Sequence, residues 1–236
     1  MVAILCLILD SRFRANDTRA WGMNRITAKI CGLSTPATLD AAITHGASHV
    51  GFVFFPPSPR HLGASAAQRL AARVPGEIRR VGVFVNPDDA LLDAAVAAAE
   101  LQAIQLHGSE SPTRVAAIKA RFGIEIWKAV PVRAAADLAA AATFLGAADR
   151  ILFDAKTPEN ASLPGGMGLR FDWALLQAYR HALPWALSGG LDAGNVAEAA
   201  RITGATLVDT SSGVESAPGI KDEGRIAAFL KAVAAA

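Results

Sequence analysis

The chain has 236 residues, 52% of them hydrophobic, 19% charged and 6% aromatic, with 23 basic against 21 acidic side chains. Such apolar content with sparse, mixed charge excludes a disordered chain, and the length suits one domain with a sizeable core. A net charge of +2 without runs of one sign offers nothing particular to a nucleic-acid backbone, so no nucleic-acid partner is expected. Mean hydropathy is +0.31. The longest unbroken apolar run, Met1 to Leu9, is nevertheless short of the roughly 18–20 residues of a spanning helix, and no membrane association is expected. Cys6 and Cys31 cannot build a disulfide framework, and a reducing cytoplasm fits them best.

Residues 1–24 stand apart. An apolar stretch to Leu9 precedes a polar one carrying Arg12, Arg14 and Arg19, the reverse of a secretory signal. Asp10 and Asp17 interrupt the arginines, unlike an organelle transit peptide. Met23 precedes the first convincing strand, so residues 1–24 are expected to be a disordered extension or the product of an upstream start. Residues 25–236 are expected to form the domain.

From Ile26 the chain alternates short apolar runs with alanine-rich helical segments. The predicted strands are Ile26–Cys31, His49–Phe54, Arg80–Val85, Ala103–Leu106, Ile124–Ala129, Arg150–Asp154, Trp185–Leu187 and Thr206–Asp209. Between them, Ala90–Glu100 and Ala134–Leu145 have helical spacing. Ser34 before Pro36, Asn86 before Pro87 and Ser111 before Pro112 read as helix starts. Continuous apolar strands alternating with helices imply repeated βαβ units. Eight such units, near the ~200-residue lower size for the fold, predict an α/β protein of the single-domain (β/α)8 TIM-barrel class. An open doubly wound sheet is disfavoured, because no glycine-rich dinucleotide turn follows the first strand.

Chemistry in such barrels sits at the C-terminal ends of the strands. There the sequence places Cys31-Gly32, Ser58-Pro59-Arg60-His61, Asn86-Pro87 and His107-Gly108. Lys128, Asp154-Ala155-Lys156, Ser188-Gly189-Gly190 and Asp209-Thr210-Ser211-Ser212-Gly213 complete the rim, with Gly165-Gly166-Met167-Gly168 after the sixth strand. Glycine lets backbone N–H groups approach an anion, and loops after strands 7 and 8 commonly bind phosphate. Gly189/Gly190, Ser212/Gly213 and Gly166/Gly168 are therefore expected to cradle a phosphorylated small molecule.

Cys31 and Asp154 end strands 1 and 6 and can face each other across the mouth. Alone, Cys31 could be a buried small apolar residue and Asp154 a helix cap. Together, above a phosphate cradle, they suggest the base and acid of a sugar-phosphate isomerisation. Arg60, in a proline-stiffened loop, could clamp a carboxylate by two parallel bonds. His107 and Lys128 could line the pocket, and Lys128 or Lys156 could instead form a Schiff base. No zinc spacing exists among the scattered cysteines and histidines, and no metal is expected.

Several segments then recur in one order: Lys29-Ile30-Cys31-Gly32-Leu33, Gly51–Phe54 with Ser58-Pro59-Arg60, Val81–Asn86 and Leu101–Gly108. They continue with Phe153–Lys156, Gly165–Trp173, Leu187–Leu191 and Asp209–Glu215. Over essentially all of residues 25–236 the chain resembles the phosphoribosylanthranilate isomerase family of tryptophan biosynthesis. Met167 departs from the pattern, standing where the family often has a small polar residue.

The resemblance implies a cofactor-free Amadori rearrangement of N-(5-phospho-β-D-ribosyl)anthranilate to 1-(2-carboxyphenylamino)-1-deoxy-D-ribulose 5-phosphate. Asp154 would be the general acid and Cys31 the general base. Arg60 would hold the anthranilate carboxylate, and the three glycine loops the phosphate. The expected substrate-binding residues are Arg60, His107, Gly166, Gly168, Gly189, Gly190, Asp209, Ser212 and Gly213. The barrel enzyme of histidine biosynthesis that performs the same rearrangement is the nearest rival, but its family uses an aspartate where Cys31 stands. Monomer and homodimer are both compatible with the family.

Overall fold

A computed structural model describes residues 26–155, 166, 168–177, 179–180 and 182–236. The expected extension over residues 1–24, together with Lys156, Gly165, Met167 and His181, lies outside the described residues. Eight strands, β1 (Thr27–Cys31), β2 (His49–Val53), β3 (Arg79–Phe84), β4 (Ala103–Leu106), β5 (Glu125–Val132), β6 (Arg150–Ala155), β7 (Trp185–Leu187) and β8 (Leu207–Thr210), close a barrel in chain order. All pairings are parallel, and β8 returns to β1 with Lys29 opposite Asp209. Every expected strand is present with small shifts at its ends. The largest shift is in β5, which runs on to Val132 because its pairing with β6 continues to Val132 opposite Ala155.

The helices α1 (Pro36–Thr44), α2 (Ala64–Ala71), α3 (Asp89–Ala99), α4 (Pro112–Phe122), α5 (Ala135–Leu138), α6 (Ala174–Gln177), α7 (Val196–Thr203) and α8 (Glu223–Ala234) follow the strands in turn. Ser111 caps α4 as expected, accepting from Arg114 N–H. Two other caps differ. Thr35 rather than Ser34 caps α1, accepting from Thr38 N–H, and Asp88 rather than Asn86 caps α3, accepting from Leu91 N–H. Asn86 is held in a left-handed conformation, φ +46°, and its Oδ1 accepts from Ser109 N–H in the next loop. The expected helix 134–145 is α only over α5 and continues as a 3-10 helix, Ala139–Phe144. There the Thr143 hydroxyl donates to the Ala140 carbonyl, a local bond that competes with the α ladder.

Outward-facing strand residues such as Phe52, Phe84, Ile104 and Phe153 are fully buried against the helices. Each is worth roughly 1.5–3 kcal/mol of apolar burial. A second, smaller core of Val81, Ala103, Trp127, Ala129, Leu152, Ala186 and Leu207 fills the barrel interior. The strands are thus buried on both faces, which is why they read as unbroken apolar runs. The interior also holds Lys29, Gln105 and Asp209, all buried.

Candidate active site

The C-terminal ends of the strands surround an open cavity of about 830 Å³, solvent at its mouth included. Cys31 and Asp154 both line it, at 7% and 5% exposure, so closure of the barrel brings the two strand ends into one site. Val53, Phe55 and Val83 make an apolar flank, and the glycine loops make a polar one.

Cys31 sits above Lys29 on the inward face of β1. A Cβ built on Gly51 of the neighbouring strand would lie 3.0 Å from Lys29 Cε and 3.1 Å from Cys31 Sγ. A larger residue at 51 would press on both side chains, which would have to give by a few tenths of an ångström. Lys29 Nζ donates to Asp209 Oδ1 at 2.9 Å, and the Ser188 hydroxyl donates to Asp209 Oδ2 at 3.3 Å. Burial alone would push the Lys29 ammonium down, but Asp209 and Cys31 outweigh it and its pKa is raised. Burial pushes the Cys31 thiol up from its ordinary range, Asp209 adds to this, and Lys29 and Lys221 oppose it without prevailing. Asp209, expected at the substrate, lines the cavity floor with both oxygens already engaged by buried partners.

Asp154 accepts its neighbour Ala155 N–H on Oδ1 at 2.9 Å, and its Oδ2 lies 3.0 Å from His107 Nε2. His107 therefore lines the cavity as expected, as a partner of the acid candidate. Its loop is braced from behind by Glu110, which accepts from the N–H groups of Asn86 and Gly108 and pairs with Lys128 at 3.0 Å. Lys128 also donates to the carbonyls of Leu106 and Gly108 and lies 5.6 Å from the centre of the Phe144 ring, in the helix layer outside the barrel. Lys128 is thus not in the cavity wall, and burial lowers its pKa against the pull of Glu110. A Schiff-base role for it has no geometric support, because the amine lies outside the cavity wall and is taken up by Glu110 and two carbonyls.

Arg60 is buried rather than solvent-exposed. Its Nε and Nη2 form a bidentate pair with Glu215 at 2.7 and 2.8 Å, and Nη2 also donates to the Gly166 carbonyl at 3.0 Å. The two-bond edge expected for a substrate carboxylate is thus committed to Glu215. Among the described residues Nη1 makes no hydrogen bond. Glu215 also accepts from Lys221 at 2.6 Å, and Lys221 donates to the carbonyl and hydroxyl of Ser211. Burial raises the Glu215 pKa, but Arg60 and Lys221 overcome it and hold the carboxyl below its usual range. Glu215 and Lys221 come from a hairpin after β8, the strands β9 (Glu215–Ala217) and β10 (Ile220–Lys221). Neither residue was foreseen from the sequence, although Glu215 ends one of the family-like segments.

Gly166, Gly168, Gly189, Gly190 and Ser212 all reach the cavity wall. Gly189 and Gly190 have φ of +94° and +63°, which turns the backbone toward the cavity in a conformation costly for other residues. Gly213 is not in the wall. It lies behind Ser212, where a Cβ would collide with the Leu191 carbonyl oxygen. Among the described residues no cluster of three or more His, Cys, Asp or Glu side chains could hold a metal ion, and no helix is long and apolar enough to cross a membrane.

The chain that builds this closed eight-stranded barrel, with Cys31, Asp154 and the glycine loops at one mouth, has relatives among known proteins. Residues 28–232 match the family model described as N-(5′-phosphoribosyl)anthranilate (PRA) isomerase. The chain belongs to this family. Isomerases of that name from Paramagnetospirillum magneticum and Rhodospirillum centenum are 52% and 54% identical to it, over 88% and 89% of this chain and 96% and 99% of theirs. The crystal structure of the Thermotoga maritima phosphoribosylanthranilate isomerase superposes with a TM-score of 0.80 at 38% identity, covering 89% of this chain and 100% of that one. Another solved isomerase, in complex with reduced 1-(o-carboxyphenylamino)-1-deoxyribulose 5-phosphate, gives 0.77 at 34% identity with the same coverage. The chain is accordingly an aldose–ketose isomerase of tryptophan biosynthesis.

Proposed function

We propose that the chain rearranges N-(5-phospho-β-D-ribosyl)anthranilate to 1-(2-carboxyphenylamino)-1-deoxy-D-ribulose 5-phosphate, with Asp154 as acid and Cys31 as base. The observation that carries this reading is the shared cavity in which a buried carboxyl and a buried thiol flank space bounded by glycine loops. Asp154 gives a proton to the furanose ring oxygen. The bond from that oxygen to C1 breaks with its electron pair going to oxygen, and the anthranilate nitrogen lone pair closes an iminium. The Cys31 thiolate then takes the C2 proton, and the C–H electrons neutralise the iminium to give an enolamine, which tautomerises to the ketone. Protonation improves the leaving group, and the iminium acidifies C2. Positioned acid and base groups contribute about 10²–10⁴-fold each.

The ends of the substrate match the two flanks. The anthranilate ring lies against Val53, Phe55 and Val83, with its carboxylate at Arg60 Nη1. Glu215 holds the guanidinium so that this nitrogen faces the substrate at low entropic cost. The phosphate lies at Gly166/Gly168, Gly189/Gly190 and Ser212, where backbone N–H groups can serve as donors. Gly213 shapes the last of these loops. The relative from Thermotoga maritima is described as dimeric, and this chain acts as a monomer or homodimer.

The test is loss of anthranilate-type fluorescence when purified protein meets freshly generated phosphoribosylanthranilate, beside Cys31→Ser and Asp154→Asn. Rapid loss with the unaltered chain, and turnover lower by orders of magnitude with product affinity retained in both variants, is expected. No loss with folded, unaltered protein would overturn the reading, and near-normal turnover in either variant would remove that residue from its role.

A further inference from the structure

Gln105 is the anomaly of the barrel interior. It stands on β4 at 1% exposure, and its Oε1 is buried with no hydrogen-bond partner among the described residues. An apolar side chain of the same length would fill this position without burying an unpaired carbonyl, so packing does not account for a glutamine. Its other amide atom has a clear task. Nε2 lies 3.0 Å from His107 Nδ1, and His107 Nε2 lies 3.0 Å from Asp154 Oδ2.

With Nε2 rather than Oε1 turned to the ring, the amide donates, and His107 Nδ1 accepts from it and carries no proton. A neutral imidazole then carries its hydrogen on Nε2, directed at Asp154. The acceptor that suits this N–H is the carboxylate, the form Asp154 takes once it has given its proton away. We propose that Gln105 is a positioning residue for the acid, acting through His107: its buried amide fixes the Nε2–H tautomer, which orients Asp154 and stabilises its conjugate base. The inference deepens the assignment of Asp154 as acid and rests on it. Proton transfer to the ring oxygen leaves charge on Oδ2, and His107 Nε2–H is already aimed there, so no reorientation is needed at that step. Asp154 Oδ1 is meanwhile fixed by Ala155 N–H, so the carboxyl is held at both oxygens.

The experiment joins a spectroscopic readout to kinetics. In protein labelled with ¹⁵N-histidine, with His107 assigned by the loss of its signals in His107→Asn, a bare Nδ1 and a protonated Nε2 are expected. Gln105→Glu replaces the donor with an acceptor and should move the proton to Nδ1. Gln105→Met keeps the volume and removes the donor. Both should lower kcat by roughly ten- to a hundredfold with KM changed less than about twofold, since the group acts on proton transfer and not on binding. A protonated Nδ1 in the unaltered chain, or unchanged kcat in folded Gln105→Met, would overturn the proposal. The tautomer is read without turnover. A fully active Asp154→Asn would therefore remove the acid assignment itself, and could not be mistaken for a failure at Gln105.

Discussion

Lys29 and Cys31 leave β1 on the same inward face, two residues apart, so that a fully buried ammonium lies beneath the thiol at the cavity floor. Gly51 leaves both the space to approach, and Asp209, across the seam where β8 closes on β1, neutralises the lysine. The arrangement keeps a positive charge next to Cys31, the proposed base, while offsetting the cost of burying that charge.

Lys29→Met should damage the protein in two separable ways. It leaves Asp209 buried without its partner, which should cost roughly 3–5 kcal/mol in urea unfolding. The double variant Lys29→Met/Asp209→Leu should recover most of that stability, because both charges are gone, yet remain far below the unaltered chain in turnover. Recovery of turnover together with stability would show that the lysine serves the fold alone.

The pH profile follows from the raised thiol. The proposed base works as thiolate, and burial holds Cys31 above the ordinary 9.0, so the limb of kcat/KM set by the thiol should rise with pH and extend onto the alkaline side. Lys29→Met removes the nearest opposing charge and should move this limb to higher pH. Thiolate absorbance in the ultraviolet, titrated on Cys31→Ser as a blank, measures the same ionisation directly. A thiolate signal already complete at neutral pH would contradict the raised thiol.

His49 gives a stability signature, because its pKa is shifted down rather than up. Burial, then the charges of Arg150, Lys29 and Arg79, lower its pKa from 6.5 to about 3. The folded state therefore prefers the neutral ring, and the unfolded chain binds the extra proton between these values. Its contribution is present above 6.5 and is lost as pH falls toward 3, at up to about 1.4 kcal/mol per pH unit. His49→Phe keeps an edge-on contact with Trp127, and Ser48 retains its bond to the Ala28 carbonyl. Denaturation midpoints of that variant should fall less steeply over the same range.

Glu215 should show the carboxylate pattern. Arg60 and Lys221 hold its folded pKa below the ordinary 4.5, so its stabilisation is present above 4.5 and is lost as pH falls through the lower folded value. Glu215→Gln strands two buried cations and should cost roughly 3–5 kcal/mol at neutral pH while flattening the acid limb. It should also raise KM, because Arg60 loses the partner that aims it. Unchanged KM in a folded Glu215→Gln protein would argue against Arg60 as the carboxylate contact.

Much of this protein is written locally. Each strand is a short apolar run, several helices start at a small polar residue or proline, and the count of eight units with residues such as Cys31, Asp154 and Gly189 at their ends predicts a barrel with one chemical rim. Those signals involve neighbours along the chain, so periodicity and turn chemistry expose them. The caps at Thr35 and Asp88 escaped by one or two residues, because Ser34 and Asn86 offer the same side-chain chemistry and only backbone geometry chooses between them. The pairing of the polar interior escaped, although Asp209, His107 and Asp154 were expected at the site. Lys29 in an apolar strand has no local explanation, since its partner Asp209 lies 180 residues away. Arg60 finds Glu215 at a separation of 155, and Asp154 finds His107 at 47. Composition and pattern determined which elements form and which end carries chemistry. Barrel closure decided which buried charges meet, because a charge inside a barrel is tolerable only with a partner, and that partner is supplied by another strand.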